Sequence, residues 1–317
     1  MTNNKTIAVI GECMIELRPK ISATGYSDAT IDAQIAYGGD TLNVAVYLAR
    51  QGVGVEYVTV VGDDPLSDWM VQQWRGNGEG CQLVRREERG LPGMYWIDVD
   101  HSGERSFHYW RLQSPARRLI NDDQKRSLVF EQLARFDSLY FSGITLSLYR
   151  EEARTHLFEF LSAYRQDGGQ VYFDNNYRSR QWPDIEKAKA AFEAMYRLTD
   201  IALPTANDER LLFGDDSNDK VIERLRLWGI REIVLKRGEK GSIVADGTAI
   251  IEVPALFVKQ VVDTTAAGDS FNAGYLSARL HGASPLEAAK NGSLLASTVV
   301  QHRGAIIPHD AMQAMRS

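Results

Sequence analysis

Residues 263–276 read Asp-Thr-Thr-Ala-Ala-Gly-Asp-Ser-Phe-Asn-Ala-Gly-Tyr-Leu, and this stretch is the most informative part of the chain. Small residues, 264–268, lead into an apolar run with helical spacing, so we expect a helix whose first backbone N–H groups are uncovered. Such a helix start carries partial positive charge and suits an anion. Asp269 places a carboxylate at the same point, and a base beside an anion site is what phosphoryl transfer to an alcohol requires.

The tripeptide Gly-Asp-Ser within this stretch also fits a plain loop with an Asp in the first helical turn. The inference therefore depends on all fourteen residues together. An Asp of ordinary pKa is ionised at neutral pH, so we expect Asp269 to need no raised pKa to accept a proton as attack develops.

The composition limits the class of protein. A chain of 317 residues with 44% hydrophobic and 25% charged residues is ordinary for a soluble globular protein. The net charge of −6 gives no support for nucleic-acid binding, and no apolar run has membrane-spanning length. Cys13 and Cys81 form neither a metal spacing nor a disulfide framework. We therefore expect a cytoplasmic protein without a nucleic-acid or membrane partner.

Short apolar runs that predict strands alternate with amphipathic stretches that predict helices. The predicted strands are Ile7–Ile10, Tyr57–Val61, Ser138–Phe141, Val171–Phe173, Ile201–Leu203 and Ile233–Leu235. The predicted helices include Leu42–Gln51, Leu128–Arg135, Thr155–Gln166 and Ile185–Leu198, and Gly52, Gly168 and Gly229 follow helical runs as C-terminal caps do. This alternation predicts a parallel sheet that is covered on both faces.

Two segments depart from the alternation. Residues 14–37 are polar and irregular, and residues 94–111 alternate around a Ser-Gly turn at 102–103, as in a hairpin. Both can form a small sheet away from the main core.

Two further groups of residues are candidates for binding. Gly38-Gly39-Asp40-Thr41-Leu42-Asn43 precedes the first helix, where paired glycines allow backbone to approach a ligand and Asp40 or Thr41 can also cap the helix. Arg111 closes the hairpin and Arg178 directly follows a strand. For either arginine alone a surface ion pair is the simpler interpretation. Together they suggest a planar anion such as a carboxylate.

These stretches together resemble the ribokinase-like carbohydrate kinases, the PfkB family. Residues 263–271 match the family motif Asp-Thr-x-Gly/Ala-Ala-Gly-Asp-x-Phe, and residues 38–43 match Gly-Gly-x-x-x-Asn; residues 11–17, 91–95, 174–178 and 301–308 fit as well. The resemblance implies one three-layer α/β/α domain over 1–317 with a central, mostly parallel sheet. It also implies a small β-sheet lid from inserted segments at about 12–37 and 89–112.

The resemblance implies roles for individual residues. Asp269 is the catalytic base, and the backbone N–H groups of Ala266, Ala267, Gly268 and Asp269 hold the charge on the transferring phosphate. The residues expected to bind the substrate are Gly38, Gly39, Asn43, Tyr95, Tyr109, Arg111, Asn176, Arg178 and Asp269. Those expected to bind ATP are Lys236, Gly238, Gly241, Ala267, Gly268 and Asn291, although a charged β-turn explains residues 236–241 equally well without the resemblance.

The resemblance also implies ions. An Asn-x-x-Glu motif of the family aligns here with Thr205 and Asp208, so Asp208 is the candidate for the shell of a hydrated Mg²⁺, which needs few protein carboxylates. A monovalent cation such as K⁺ is implied near Asp263 and Thr265.

The expected reaction is ATP-dependent phosphorylation of 2-keto-3-deoxygluconate to its 6-phosphate, and a sugar acid agrees with the paired arginines. Two alternatives stay open: a kinase for a neutral sugar such as fructose or ribose, and a catalytically silent sugar-binding regulator on the same fold. Because related kinases often associate through the lid sheet, we expect a homo-oligomer, dimeric or higher.

Overall fold

The computed structural model describes residues 5–19, 30–99 and 105–313. The strands are β1 (Thr6–Ile10), β2 (Met14–Pro19), β3 (Ala33–Gly38), β4 (Gly54–Gly62), β5 (Val84–Glu87), β6 (Met94–Val99), β7 (Arg105–Trp110), β8 (Ser138–Ser142), β9 (Gln170–Asp174), β10 (Ile201–Ala202), β11 (Glu232–Lys236), β12 (Ser242–Ala245) and β13 (Ile250–Val253). The helices are α1 (Asp40–Arg50), α2 (Pro65–Asn77), α3 (Arg118–Asn121), α4 (Asp123–Leu133), α5 (Gly143–Leu148), α6 (Glu151–Gln166), α7 (Ile185–Tyr196), α8 (Ala206–Phe213), α9 (Asn218–Leu227), α10 (Ala267–Leu280), α11 (Pro285–Val299) and α12 (His309–Gln313).

The large sheet, counted over the described residues, has nine strands in the order β13-β12-β11-β10-β9-β8-β1-β4-β5. In this order, all adjacent strands between β11 and the β5 edge pair in parallel. At the other edge, β12 pairs antiparallel with β11, and β13 pairs antiparallel with β12. The prediction of a mostly parallel sheet is therefore confirmed. Because the strands are parallel, the carboxyl ends of β1, β8, β9, β10 and β11 lie along one edge of the sheet.

Both faces of this sheet are covered, which explains why its strands read as continuous apolar runs. Along β1, Ile7 and Val9 pack on one face with residues of α1, α2, α10 and α11. Ala8 and Ile10 pack on the other face with residues of α4, α6, α7 and α9. The result is three layers, helices on sheet on helices. Among the described residues, no helix is long and apolar enough to cross a membrane.

Helix ends were predicted better than helix starts. Gly52, Gly168 and Gly229 follow α1, α6 and α9 at φ of 86°, 95° and 89°, the left-handed conformation that glycine adopts without strain. The helix predicted at Leu128–Arg135 begins instead at Asp123, because the Asp122 side chain caps its first turn. That first turn is polar, so apolar periodicity gave no signal there.

The two segments that break the alternation form a second, four-stranded sheet among the described residues, in the order β3-β2-β6-β7. Strands β2 and β6 pair in parallel, while β2 with β3 and β6 with β7 pair antiparallel. The small sheet and the hairpin are thus as predicted, and the Ser-Gly turn at 102–103 lies outside the described residues. Strand β3 runs directly into α1 through Gly38 and Gly39, so the small sheet is joined to the site described below.

One buried carboxyl in the large-sheet core stands apart. Glu79 is 4% exposed, and neither of its carboxyl oxygens has a hydrogen-bond partner among the described residues. Burial raises its pKa to about 8, against the opposing charge of Arg50. A carboxyl in this position is held neutral at pH values where the unfolded chain ionises it.

We expect Glu79→Gln to stabilise the protein in a pH-dependent way. The unfolded carboxyl ionises near 4.5 and the folded one near 8, so the wild-type free energy of unfolding falls as pH rises through that window. The amide removes this dependence and should raise the free energy of unfolding by about 2–4 kcal/mol at about pH 8, and by far less at about pH 5. Urea unfolding at both pH values, with the exposed Glu223→Gln as control, measures the difference. An equal effect at the two pH values would contradict this interpretation.

Candidate active site

Polar side chains from distant parts of the sequence meet at the carboxyl edge of the large sheet. Ser142, Asp174 and Lys236 are the last residues of β8, β9 and β11. The N-terminal ends of α1 and α10 lie at the same edge, where Asp40 is the first residue of α1 and Asp269 is the third residue of α10. Both helix starts favour negative charge.

The start of α10 is shaped by a left-handed residue. Ala266 precedes the helix at φ 59°, a conformation that costs energy for any residue with a Cβ. The Ala267 N–H donates to the Thr264 carbonyl at 3.2 Å. Among the described residues, no carbonyl accepts from the N–H groups of Gly268 and Asp269. The predicted helix start with uncovered N–H groups is therefore present in the structure, and an anion can approach it.

The Asp269 carboxyl accepts a hydrogen bond of 2.8 Å from the side-chain amide of Asn43. Burial raises its pKa to about 8, and the charge of Asp40 adds to the shift, while the Asn43 hydrogen bond opposes it. Asp269 as a whole residue is only partly buried. The local sequence gave no sign of this shift, because both the burial and the neighbouring Asp40 come from the packing of distant elements.

Asp40 lies at the start of α1 and is close enough to Asp269 to raise its pKa. It accepts a hydrogen bond of 2.7 Å from the Asn176 side chain. Burial raises its pKa, and hydrogen bonds from Ser142, Thr41 and Asn176 lower it. The loop after β9 thereby becomes attached to the start of α1.

A buried ion pair lies beneath the start of α10. The Lys236 ammonium is 3.1 Å from Asp174 and 2.9 Å from the Asn272 side-chain oxygen, and the Asn272 amide donates to Asp174 at 2.7 Å. Lys236 is only 7% exposed. A Cβ added at Gly268 would lie 3.7 Å from the Lys236 Nζ, so the ammonium lies close to Gly268 at the start of α10.

The turn that follows Lys236 contains a short 3-10 helix, Gly238–Lys240, whose first residue and whose C-terminal cap are glycines with positive φ. Gly238 has φ 59° and Gly241 has φ 80°. At Gly241 a Cβ would lie 2.1 Å from the Val253 carbonyl oxygen, so only glycine fits. The backbone here is compact and faces the same edge of the sheet as the start of α10.

The small sheet contributes a tyrosine and an acid. Tyr95 donates to Glu16 at 2.6 Å, and a Cβ on Gly38 would lie 2.6 Å from the Tyr95 hydroxyl oxygen. Tyr109 lies beside Tyr95, with ring centroids 5.9 Å apart. At Gly39 a Cβ would lie 2.2 Å from the Glu12 carbonyl oxygen, so close backbone packing requires glycine at this position.

Sequence reasoning did not single out Glu16, although it lies within the quoted stretch 11–17. It also missed the roles of Asp40, Asp174 and Asn272. Their partners are far away in sequence, so a single chain read in order shows no pairing signal.

The two arginines that were predicted as a pair differ in their surroundings. Arg111 is 8% exposed and hydrogen-bonds to Glu12, so its charge is already balanced. The Arg178 side chain is 52% exposed, donates to the Tyr177 carbonyl at 2.9 Å and lies 3.7 Å from Asp208. The more available guanidinium is therefore that of Arg178.

Asp208 and Asp263, the carboxylates that the resemblance placed near ions, are both engaged in hydrogen bonds. Asp208 accepts from the Tyr177 N–H at 3.2 Å, and burial raises its pKa while Arg178 lowers it. The Asp263 carboxyl accepts from the Thr265 N–H at 3.0 Å and from its hydroxyl at 2.6 Å.

Asn291 is engaged between helices, where its side-chain amide donates to the Gly274 carbonyl at 2.7 Å. The described residues contain no group of three or more His, Cys, Asp or Glu side chains placed to hold a metal, so any Mg²⁺ here would depend on other oxygen ligands.

Comparison with known proteins specifies the family. The pfkB family of carbohydrate kinases matches residues 4–312, and the chain belongs to this family.

Individual relatives agree over the full length. The chain is 45% identical to the 2-dehydro-3-deoxygluconokinase of Dickeya dadantii, over 98% of this chain and 99% of the relative. It is 44% identical to the protein of that name in Escherichia coli, over 98% of this chain and 100% of the relative. Among solved structures, aminoimidazole riboside kinase from Salmonella enterica, complexed with aminoimidazole riboside and an ATP analog, superposes with a TM-score of 0.80 at 22% identity, over 99% of this chain and 100% of that one. The structural likeness shows the shared fold.

Ala266, the left-handed residue before α10, allows a test of the helix start that carries the uncovered N–H groups. We expect Ala266→Gly to keep activity and stability within a small margin, because the strain it removes, about 1–2 kcal/mol, is partly offset by the added entropy of the unfolded chain. Ala266→Val should lose at least about tenfold in activity and about 2 kcal/mol in stability, because a β-branched residue resists positive φ. Turnover and urea unfolding of both variants measure this. A valine variant that behaves like the glycine variant would contradict the left-handed start.

Proposed function

We propose that this chain transfers the γ-phosphoryl group of ATP to the terminal hydroxyl of 2-keto-3-deoxygluconate, giving the 6-phosphate and ADP. The observation that carries the proposal is the Asp269 carboxyl beside the uncovered N–H groups at the start of α10. The substrate is the one named by relatives that are 44% and 45% identical over the full chain, since 2-dehydro-3-deoxygluconate and 2-keto-3-deoxygluconate are the same compound.

Asp269 is proposed as the base that accepts the proton of the terminal hydroxyl. Its carboxyl must be ionised to do so, and with a pKa of about 8 a fraction is ionised at neutral pH. The hydrogen bond from Asn43 fixes the orientation of the carboxyl while the sugar binds. A base with a pKa near the working pH accepts the proton effectively once it is ionised.

The phosphate side is proposed to lie on the N–H groups of residues 266–269, with Gly268 and Asp269 as the donors that are free to receive it. The donors are fixed before the reaction, so they stabilise developing charge without reorganisation. The backbone of the Gly238–Lys240 turn, Gly241 and the region of Asn291 are proposed to hold the nucleotide.

Mg²⁺ is proposed as the cofactor and, when bound, neutralises phosphate charge. Asp208 is the candidate that orders the water shell of this ion, because its side chain stays 16% exposed. The described residues contain no cluster of three or more His, Cys, Asp or Glu side chains that could hold the ion instead. A monovalent cation such as K⁺ is proposed near Asp263 and Thr265, whose carboxyl and hydroxyl oxygens lie together.

The sugar acid is proposed to bind between the small sheet and the start of α1. Arg178 is the candidate for direct contact with its carboxylate, because its guanidinium is open to solvent and can form a bidentate pair. Arg111 is held against Glu12, so we propose that it keeps the base of the lid in place and presents its remaining N–H groups. The hydroxyl-binding set is Gly38, Gly39, Asn43, Tyr95, Tyr109, Asn176 and Asp269.

We also propose a homo-oligomer that forms through the small sheet and works in the cytoplasm. Ile35 of β3 and Trp110 of β7 are 50% and 58% exposed, and strand register places both on one face of that sheet. An apolar face of this kind favours association. A cytoplasmic site fits the need for ATP and the two free cysteines.

The direct test is ADP release with Mg-ATP and 2-keto-3-deoxygluconate, fructose, ribose or no sugar. We expect turnover only with the keto-deoxy acid, and Asp269→Asn should lower kcat by about 100- to 10,000-fold. Asp167→Asn, at an exposed position after α6, is the matched control and should be unchanged. Turnover with fructose or ribose instead would indicate a neutral-sugar kinase, and silence with every sugar would indicate a binding protein.

Replacement of Arg178 separates the sugar-acid kinase from a neutral-sugar kinase. We expect Arg178→Ala to raise KM for the keto-deoxy acid by about 10- to 100-fold with a smaller change in kcat, because a charge-assisted pair is lost. Arg178→Lys should recover only part of it, since an ammonium cannot form a bidentate pair. Steady-state kinetics give both parameters. A KM within about twofold of wild type in Arg178→Ala would contradict the carboxylate contact.

A further inference from the structure

The family resemblance implies that Lys236 binds ATP, but its ammonium is buried and paired with Asp174, for which no role is assigned above. We propose that this pair, bridged by Asn272, is a positioning unit that sets the readiness of Asp269 to accept a proton. The inference rests on the proposed function, because it takes Asp269 as the base. Neither residue needs to touch the sugar for this role, so both are positioning residues rather than catalytic ones.

The geometry couples the pair rigidly to the base. Asn272 lies three residues after Asp269 in α10, about one helical turn away, and it contacts both members of the pair. Asp174 ends β9 and Lys236 ends β11, so the ion pair spans the end of the two-residue strand β10 between them. Tyr140 of β8 accepts a further hydrogen bond from Asn272 at 3.1 Å. A group held by four elements cannot reorient without moving the start of α10.

Lys236 supplies the positive charge among the titratable groups around Asp269. The titratable groups that face it are Asp40 and Tyr47 of α1, Tyr140 of β8, Asp174 of β9 and Lys236 of β11. Two of them, Asp40 and Asp174, are carboxylic acids, and Lys236 is the one cation of the set. Burial and Asp40 raise the Asp269 pKa most, Asp174 raises it further, and Lys236 lowers it. The two members of the pair therefore act on the base in opposite directions.

Stability alone is a weak reason for such a pair. Removing two charges from water costs several kcal/mol per ion, and apolar side chains of similar size often replace a buried pair without loss. Here the pair lies at the carboxyl edge of the sheet, close to Gly268. The Lys236 ammonium therefore also adds positive charge near the uncovered N–H groups at the start of α10. The place of the pair beside the start of α10 therefore points to a role other than stability.

The test is the pH dependence of kcat/KM for 2-keto-3-deoxygluconate with saturating Mg-ATP, in wild type, Asp174→Asn, Lys236→Met and the double variant. We expect the rise of kcat/KM with pH to shift by about one pH unit to lower pH in Asp174→Asn and to higher pH in Lys236→Met. The double variant should return to within about half a unit of wild type. Lys236→Arg keeps the charge and should move the midpoint least.

A structural role would lower kcat or stability in all variants without moving the midpoint, and that result would overturn the inference. Thermal melts of each variant identify any that fail to fold; if Lys236→Met is one of them, an unmoved midpoint in Asp174→Asn alone overturns it. Asp269→Asn separates the two proposals. If Asp269→Asn keeps full activity, the proposal that Asp269 is the base is wrong. If Asp269→Asn is inactive but the pH midpoints of the other variants do not move, only the positioning role of the pair is wrong.

Discussion

The hydrogen bond from Asn43 to Asp269 joins the N-terminal ends of two helices, and the arrangement of the site depends on it. Helix α1 continues from the small sheet through Gly38 and Gly39, whereas α10 carries the uncovered N–H groups. The bond therefore ties the side that is proposed to meet the sugar to the side that is proposed to meet the phosphate. Residues 41–48 of α1 are buried against the sheet and α10, so neither helix start can shift independently.

Crowding of carboxyl groups is the cost of this arrangement. Two helix starts both favour acids, and Asp40 and Asp269 occupy them, with Asp174 just below. Each acid is satisfied by an amide, Asn176 for Asp40 and Asn43 for Asp269, and Lys236 balances Asp174. The consequence is that the pKa of the Asp269 carboxyl is raised to about 8. In the proposed mechanism, the placement of these charges controls proton transfer as well as distance does.

The fold could be predicted from the sequence because its signals are local. Runs such as Val171–Phe173 are apolar throughout, and glycines such as Gly168 end helices, so strands, helices and the parallel sheet follow from short windows. The start of α10 was predictable for the same reason. The pairing of Lys236 with Asp174, 62 residues apart, and the contact of Asn272 with Asp174, 98 residues apart, have no local signal. The raised pKa of Asp269 and the balance of Arg111 by Glu12 depend on such contacts, and these were the features that the sequence alone did not show.

The most direct test of the site is a crystal structure of the protein with ADP, Mg²⁺, aluminium fluoride as the analogue of the transferring phosphoryl group, and 2-keto-3-deoxygluconate. We expect the fluoride ligands on the N–H groups of Gly268 and Asp269, and the terminal hydroxyl within about 2.6–3.2 Å of the Asp269 carboxyl. The sugar carboxylate should face Arg178. An analogue bound away from the start of α10, or a hydroxyl out of reach of Asp269, would contradict the central claim that this helix start and its carboxyl together form the site of phosphoryl transfer.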